Sequence, residues 1–304
     1  MRYFLGIDGG ASKTCCVLGD ERIILGRGTA GSSNVTRVGE AVARESLTLS
    51  ILQACAAAQI DPTQIAGTCV GAAGAARENV RAQLHRFVSE TVHGEVQVVG
   101  DMMVALHAAF GDGPGVIVVS GSGSIAYGRD VSGRTLRAGG WGFAISDEGS
   151  GYWIGRRAIA SSLRVCDERG ESDCSLLSEI LKVLGLESRE HLVTRANGNP
   201  PLDFASLVPA VIKLSDEGDE TAQRVLSAAG EELGDLGVVV LKRLFKDAAS
   251  APVAMSGGVF GNSAFLRRVF YNYLALAFPA AIVNPTVVEP VLGALAMARE
   301  RAHI

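Results

Sequence analysis

Two stretches of the chain are each predicted to form a strand, a turn rich in glycine and hydroxyl residues, and a second strand. This repeat restricts the fold more than any other feature. The two turns lie within Gly6-Ile7-Asp8-Gly9-Gly10-Ala11-Ser12-Lys13-Thr14 and Ser120-Gly121-Ser122-Gly123-Ser124. β-branched and apolar residues flank both turns. A third strand is predicted after each, at 22–28 and at 134–138. Two α/β lobes are therefore expected, each beginning with three antiparallel strands.

Helices and further strands alternate after each repeat. In the first region, apolar periodicity predicts helices at 37–58, 78–90 and 102–110 and strands at 65–70 and 96–99, with the loop at 31–34 capping the first helix. In the second region it predicts helices at 153–166, 263–277 and 291–303, strands at 252–255 and 281–283, and a mainly helical stretch at 172–250. We expect an N-terminal lobe at 1–112, a C-terminal lobe at 113–289 and a C-terminal helix at 290–304 where the lobes join.

The composition indicates a soluble globular protein and excludes several classes of partner. The chain has 304 residues, 48% of them apolar, and a formal net charge of −4. No block of like charges occurs, so neither nucleic acid nor a membrane surface is an expected partner. The apolar runs are shorter than the roughly 20 residues that a membrane helix needs. The six cysteines lack paired C-x-x-C spacing, so reduced thiols and a cytoplasmic location are expected.

The first turn has the composition of an anion-binding loop. Adjacent glycines permit a sharp turn with accessible N–H groups, although Gly-Gly is also a common signal for an ordinary hairpin. Asp8 favours a phosphate with a divalent cation, because its carboxylate would otherwise repel the phosphate. A Walker-type loop is excluded, since Ser12 stands where glycine is required and no helix follows. The candidate anion-binding residues are Gly9, Gly10, Ser12, Lys13 and Thr14.

Motifs along nearly the whole chain resemble those of one ATP-binding superfamily. Besides the two turns, they are Gly31-Ser32-Ser33-Asn34, Gly100-Asp101, Gly139-Gly140-Trp141-Gly142, Asp147-Glu148-Gly149-Ser150-Gly151 and Ser256-Gly257-Gly258. The set is similar to the sugar kinase, actin and heat-shock chaperone superfamily, and within it to the N-acetylglucosamine kinase group of the BadF/BadG/BcrA/BcrD ATPase family. The resemblance implies two ribonuclease H-like lobes with an ATP, Mg²⁺ and sugar site in the cleft between them. It also implies that the lobes close on the sugar, and a homodimer is expected.

The same resemblance assigns roles to individual residues. Asp8 would hold Mg²⁺ through water, and Ser12 and Ser122 would contact phosphates, with Gly123 in the second turn. The nucleoside would be bordered by Ala205, Gly257 and Gly258. The sugar would be lined by Asn34, Asp101, Gly140, Trp141, Gly142 and Asp147, with Ser124 and Ile125 close by. Ala73 stands where some relatives have serine, which leaves the 2-substituent of the sugar open.

Asp101 is the candidate general base. Phosphoryl transfer to an alcohol needs a group that accepts the hydroxyl proton, and Asp101 follows a strand and precedes an apolar helix. The alternative role is a helix N-cap, which aspartate fills well. Asp147 and Glu148 could likewise be acids at a helix N-terminus, and we favour Asp147 as a sugar ligand. Trp141 lies between glycines and is expected to form a wall of the sugar site.

The leading interpretation is an ATP-dependent kinase acting on the 6-hydroxyl of an amino sugar, most simply N-acetylglucosamine. A glucosamine kinase or an N-acetylmuramic acid kinase would be expected to have the same fold and motifs. A second class is an activator ATPase of a CoA-ester dehydratase or reductase with an iron–sulfur cluster, for which Cys166 and Cys174 are the candidate ligands; their helical, acidic context favours ordinary thiols. A sugar-sensing regulator would carry an added helix-turn-helix, and none is expected before the first strand.

Overall fold

Two compact units make up the part of the chain that the computed structural model describes, which is residues 2–169, 174–246 and 249–301. One unit extends to Gly113 and includes the chain from Val288 onward, and the other is Pro114–Val287. Each unit contains a five-stranded sheet with helices packed on it. The predicted α/β class with two lobes is confirmed.

The first unit is a mixed sheet in the strand order β3-β2-β1-β4-β5. Its N-terminal elements are β1 (Tyr3–Gly9), β2 (Thr14–Gly19), β3 (Ile24–Ala30), α1 (Val35–Ala58), β4 (Ile65–Ala72), α2 (Glu78–Ser89), β5 (Glu95–Gly100) and α3 (Asp101–Phe110). The hairpin strands β1, β2 and β3 are antiparallel, whereas β4 lies parallel to β1 and β5 parallel to β4. The carboxyl ends of β1, β4 and β5 therefore meet at one edge of the sheet, as Gly9 lies beside Ala72 and Ala72 beside Gly100.

The second unit repeats this arrangement. Its elements, followed by the last helix of the chain, are β6 (Gly115–Ser120), β7 (Ser124–Arg129), β8 (Thr135–Gly139), α4 (Gly151–Arg169), α5 (Ser175–Leu184), α6 (Arg189–Ala196), α7 (Val208–Asp216), α8 (Glu220–Leu244), β9 (Ala251–Ser256), α9 (Gly258–Asn262), α10 (Ala264–Ala277), β10 (Ala281–Val288) and α11 (Pro290–Arg301). The sheet order is β10-β9-β6-β7-β8, with an antiparallel β6–β7–β8 meander and β9 parallel to β6. The predicted repeat is thus present in the sheets.

Helix α11 packs on the sheet of the first unit. A Cβ atom added to Gly6 on β1 would lie 2.3 Å from the backbone nitrogen of Leu295, and one added to Gly293 would lie 2.1 Å from the carbonyl oxygen of Val104 on α3. Neither glycine can therefore carry a side chain without moving the helix. Because α11 also buries Leu295 against Phe4, it holds β1 and α3 together, and these two elements carry Asp8 and Asp101.

The second unit fixes its own turn by burying β6 under α8. Val116 and Val118 on β6 are fully buried, in one apolar cluster with Leu233 and Leu241 on α8. A fully buried central strand of this kind has little freedom to slip in register. The residues that follow β6 are therefore presented at a fixed position.

The predicted elements differ from the observed ones mainly at their ends. Strand β10 was expected to stop at residue 283 but continues through Pro285 to Val288. It is an edge strand, where a proline can be accommodated without a missing ladder hydrogen bond. Helix α1 begins at Val35 and is interrupted at Gly39, whose φ is 81°. Within the described residues, no helix is long and apolar enough to cross a membrane.

Candidate functional site

The first glycine turn forms as predicted and exposes its polar residues. The N–H of Gly10 donates to the carbonyl of Lys13 at 3.0 Å, and Gly9 pairs with Thr14 across β1 and β2. Ser12 and Lys13 are exposed at the tip of the turn. The turn thus offers a hydroxyl and a cation to solvent on a backbone that the strands hold in place.

Two hydroxyls tie this turn to the loop that carries Asn34. Thr14 donates to the carbonyl of Gly31 at 2.8 Å, and Ser32 donates to the carbonyl of Gly10 at 3.2 Å. The N–H of Asn34 in turn donates to the Ser32 hydroxyl at 3.2 Å. Thr14 was expected to direct its hydroxyl at a phosphate, but its side chain is fully buried. We therefore assign Thr14 to positioning of the loop.

The loop before α1 presents the Asn34 side chain without using it as a cap. Asn34 has the backbone position of a helix N-cap, but its side chain accepts no backbone N–H and instead accepts the Thr36 hydroxyl at 2.7 Å. The expected side-chain cap is thus absent there. Beside it, Ser33 is buried, and its hydroxyl has no hydrogen-bond partner among the residues that the structure describes. This hydroxyl lies 2.6 Å from where a Cβ of Gly9 would stand. A side chain at residue 9 would therefore require the Ser33 hydroxyl to move.

Asp8 and Asp101 interact at the carboxyl edge of the first sheet. Burial, and then the negative charge of Asp101, raises the pKa of Asp8 from 3.8 to about 6, while Lys13 opposes the increase. Burial also raises the pKa of Asp101, against hydrogen bonds from the backbone N–H groups of Met102 and of Asp101 itself. Two carboxyl groups with raised pKa values therefore lie close together. The positive charge of Lys13 does not fully offset the increase at Asp8.

Asp101 is not the N-cap of α3. That position belongs to Gly100, and Asp101 is the first helical residue. Its carboxylate accepts the N–H of the next residue, Met102, at 3.1 Å. An N-cap side chain would instead accept an N–H two or three residues further along the helix. The geometry therefore disfavours the alternative of a simple cap.

The second glycine turn is held against the start of α4. The N–H of Gly121 donates to the carbonyl of Gly123 at 2.9 Å, which closes the turn, and the N–H of Gly151 donates back to the carbonyl of Gly121 at 2.8 Å. The buried Ser120 hydroxyl donates to the carbonyl of Gly149 at 2.7 Å. Ser122 and Gly123 remain partly exposed at the tip.

Asp147 joins this turn to the glycine–tryptophan loop. Its carboxylate accepts the backbone N–H groups of Gly142 and Ser124; burial raises its pKa, and these two hydrogen bonds oppose the increase. The Ser124 hydroxyl, which was expected near the sugar, is buried and donates to the carbonyl of Glu148 at 2.7 Å. A Cβ on Gly140 would lie 2.8 Å from Cδ1 of Ile125. The structure thus brings together the predicted sugar-lining residues of this unit.

Trp141 projects from this loop into solvent. It is 60% exposed, and the guanidinium carbon of Arg137 lies 4.2 Å from its ring centroid. The glycines on either side both have positive φ, 70° at Gly140 and 94° at Gly142, and a Cβ on Gly142 would meet nothing within 4 Å. The backbone around Trp141 is therefore open to close approach by a ligand.

The residues expected around the nucleoside lie beside the second turn. Gly257 has a φ of 98°, and a Cβ there would lie 2.2 Å from the carbonyl oxygen of Ser120. The next residue, Gly258, is exposed at the start of α9. A Cβ on Gly151 would lie 3.4 Å from the Cβ of Ala205, which places Ala205 at the same edge of the unit.

Comparison with known proteins identifies the family. Residues 5–298 match the sequence profile of the BadF/BadG/BcrA/BcrD ATPase family. The chain belongs to that family. It is 32% identical to an N-acetylmuramic acid/N-acetylglucosamine kinase of Clostridium acetobutylicum, over 98% of this chain and 99% of the relative. It is 29% identical to an N-acetyl-D-glucosamine kinase of Dictyostelium discoideum, over 97% of each chain.

A solved structure shows the same fold as this BadF/BadG/BcrA/BcrD family member. It is a Chromobacterium violaceum protein named as a candidate N-acetylglucosamine kinase, with a TM-score of 0.74 and 26% identity, and the match covers 98% of this chain and 99% of that one. The likeness extends through both units, since almost no part of either chain is left unmatched. As a member of an ATPase family, this protein uses ATP.

The carboxylates of the first unit fit Mg²⁺ that is bound together with nucleotide phosphates. Within residues 2–169, 174–246 and 249–301, no group of three or more His, Cys, Asp or Glu side chains is arranged to hold a metal ion. Mg²⁺ commonly takes only one or two carboxylates and completes its shell with phosphate oxygens and water. Asp8 supplies one such carboxylate, and a cation beside it would offset the negative charge of the nearby Asp101.

Three residues that lie beside candidate site residues were not assigned a role from the sequence. Ser33 and Ser120 lie inside recognised motifs, but only the structure shows that one hydroxyl is unpartnered and that the other holds Gly149. Arg137 lies outside the motifs, four residues before Trp141. The sequence offered one signal for Arg137. Side chains alternate along β8, so residues 137 and 139, just before the glycine–tryptophan loop, lie on the same face of the sheet.

Proposed function

We propose that this protein phosphorylates the 6-hydroxyl of an amino sugar with ATP, and that N-acetylglucosamine is an acceptor. The observation that carries the proposal is the double hydrogen bond of Asp147. One carboxylate holds the loop with Gly140, Trp141 and Gly142 against the turn with Ser122 and Gly123. A polar, glycine-lined loop for a sugar is thereby fixed to a turn suited to a phosphate, as transfer between the two ligands requires.

The nucleotide is held mainly by backbone and hydroxyl groups. In the first unit, we assign the phosphate contacts to Gly9, Gly10, Ser12 and Lys13, whose turn exposes its donors. In the second unit, Ser122 and Gly123 provide the corresponding contacts, and Ala205, Gly257 and Gly258 border the nucleoside. Backbone N–H groups of such turns form anion-binding concavities, which supports this assignment.

Asp8 is the proposed carboxylate for Mg²⁺, acting through a water molecule. When bound, the ion would neutralise phosphate charge during transfer. Burial and Asp101 raise the pKa of the Asp8 carboxyl to about 6. A cation beside Asp8 would therefore also favour the ionised form of this carboxyl.

Asp101 is the proposed general base that takes the proton of the sugar hydroxyl. Its pKa is raised by burial, which makes its carboxylate a better proton acceptor at neutral pH than an exposed aspartate. The backbone N–H of Met102 donates to one oxygen of the carboxylate and so orients it. Asn34 and Asp147 are assigned to hydrogen bonds with the other sugar hydroxyls.

The choice of amino sugar requires a direct test. The assay is ADP release from ATP and Mg²⁺ over a panel of glucose, glucosamine, N-acetylglucosamine and N-acetylmuramic acid, with the product phosphate located by ¹H–³¹P correlation spectroscopy. We expect turnover on an N-acetylated amino sugar with the phosphate on O6. ATP hydrolysis that no sugar stimulates, in a preparation that needs reconstituted iron, would contradict the proposal and favour the activator ATPase. The expected homodimer is tested in the same preparation by light scattering.

A further inference from the structure

Arg137 is an unpaired guanidinium placed against the exposed tryptophan. It is exposed on β8, opposite Tyr127 on β7, and stacks on the Trp141 ring at 4.2 Å. Arg134 in the same hairpin pairs with Asp130 at 3.1 Å. In the part of the chain that the structure describes, Arg137 has no such carboxylate partner.

A stacked guanidinium is well suited to bind a carboxylate. Stacking uses the flat face of the group, whereas its N–H donors lie around the rim in a fixed fork that matches the two oxygens of a carboxylate. Stacking also limits the rotamers of the side chain, so less entropy is lost when the fork is filled. Trp141 is 60% exposed with Arg137 against its ring, so part of its surface stays accessible to a ligand.

We propose that Arg137 is a specificity residue that binds a carboxylate carried by the amino sugar, as in the lactyl ether of N-acetylmuramic acid. The inference rests on the proposed function, which places Trp141 in the wall of the sugar site. An anionic substituent on a sugar in contact with Trp141 lies within reach of a guanidinium only 4.2 Å from that ring. The phosphates of ATP have separate donors in the two glycine turns, so Arg137 is not needed for them.

A purely structural role for Arg137 predicts a different outcome. If the guanidinium only ordered the Trp141 loop, its loss would affect every sugar that contacts Trp141 to the same degree. If it binds a carboxylate, its loss would affect only sugars that carry one. The two roles are separated by a ratio of kcat/KM values, which cancels any general effect on the loop.

The experiment compares three acceptors that differ in one group: N-acetylmuramic acid, its methyl ester, and N-acetylglucosamine. Wild-type protein is assayed beside Arg137→Gln, Arg137→Lys and the control Arg268→Gln. Arg268 is an exposed arginine whose guanidinium carbon lies 5.2 Å from the ring centroid of Phe265. It therefore makes the same type of contact outside the Trp141 loop. All variants are first checked for an unchanged melting temperature.

We expect Arg137→Gln to lower kcat/KM for N-acetylmuramic acid by about 10- to 100-fold, the range for a hydrogen-bonded charged group. For the ester and for N-acetylglucosamine the change should stay within about threefold. Arg137→Lys should fall between wild type and Arg137→Gln, since it keeps the charge without the fork. Arg268→Gln should behave as wild type.

Two results would overturn the inference and leave the kinase proposal standing. One is an equal loss on all three acceptors, and the other is a wild-type enzyme that phosphorylates N-acetylglucosamine but does not prefer the free acid over its ester. Failure of the wild-type protein to phosphorylate any of the three acceptors would instead contradict the proposed function, and the role of Arg137 with it.

Discussion

Asp8 and Asp101 are electrostatically coupled: burial first, and then the negative charge of Asp101, raises the pKa of the Asp8 carboxyl to about 6. Three parallel strands of the mixed sheet create this relationship, because β1 and β5 both end at the edge where β4 lies between them. Two carboxylates at such an edge destabilise one another unless a cation or a proton is present. A cation or a proton at Asp8 would therefore stabilise this edge of the sheet.

The first prediction concerns stability without nucleotide or Mg²⁺. A carboxyl whose pKa is raised on folding binds its proton more tightly in the folded state, so its contribution to stability is complete below the ordinary pKa of 3.8 and is lost as the pH rises through about 6. Asp8→Asn removes this titration. Its free energy of unfolding, measured by urea denaturation, should rise relative to wild type between pH 4 and pH 7. Asp216→Asn, at an exposed site on α7, should show no such trend.

Mg²⁺ with ADP should reverse the pH trend. Ligands that neutralise the Asp8 carboxylate bind its ionised form, so the rise in melting temperature caused by Mg²⁺ and ADP should be larger at pH 7.5 than at pH 5. Asp8→Asn should lose most of this difference. The assignment of Asp8 to the metal is wrong if the variant keeps the wild-type dependence on both Mg²⁺ and pH.

The adjacent glycines 257 and 258 should respond differently to alanine. Gly257→Ala forces a Cβ to within 2.2 Å of the Ser120 carbonyl oxygen at a φ of 98°, so it should destabilise the protein by at least about 1–3 kcal/mol from strain alone. Gly258→Ala meets only the end of Asn262 at 4.0 Å and should fold normally, while raising KM for ATP. Gly261→Ala, with open space around it, is the control for α9. Melting temperatures with steady-state kinetics test all three, and an unchanged KM for ATP in Gly258→Ala would remove that residue from the nucleotide site.

Asn34 and Asp147 should both affect sugar binding but differ in their effect on the fold. Asp147→Ala frees two backbone N–H groups, at Gly142 and Ser124, and should cost about 1–3 kcal/mol of stability besides raising KM for the sugar. Asn34→Ala removes no helix-capping bond and should raise KM for the sugar at nearly constant stability. KM for ATP should change little in either. A rise in KM for ATP without a rise in KM for the sugar would contradict the assignment of that residue to the sugar.

Much of the fold could be predicted from the sequence, because local patterns determine it. The two glycine turns and the strands around them identified the repeat, and the sheets have that order. The hydrogen-bond partners of individual hydroxyl groups could not be predicted from the sequence. Thr14 and Ser124 are both typical ligand-binding types, but they donate to carbonyls 17 and 24 residues away. Only the packing of distant loops decides between a carbonyl and a ligand as partner.

The position of Asp101 inside the helix, and not at its N-cap, also needed the structure. In the sequence, Gly100-Asp101 before an apolar helix fits a capping aspartate as well as a catalytic one. The helix begins one residue earlier than predicted, at Asp101 itself, and this single shift moves the cap to Gly100. Helix ends are the least predictable part of a helix from sequence, since capping and first-turn residues are of the same types.

The replacement of Asp101 by asparagine tests the central claim most directly. Asparagine keeps the size of the side chain and can accept the N–H of Met102, but it cannot take a proton. The account predicts a variant with a normal melting temperature and normal ATP binding whose turnover on its best sugar falls by a factor of roughly 10² to 10⁴. Near-normal turnover in a folded Asp101→Asn protein would contradict the role of Asp101 as the general base.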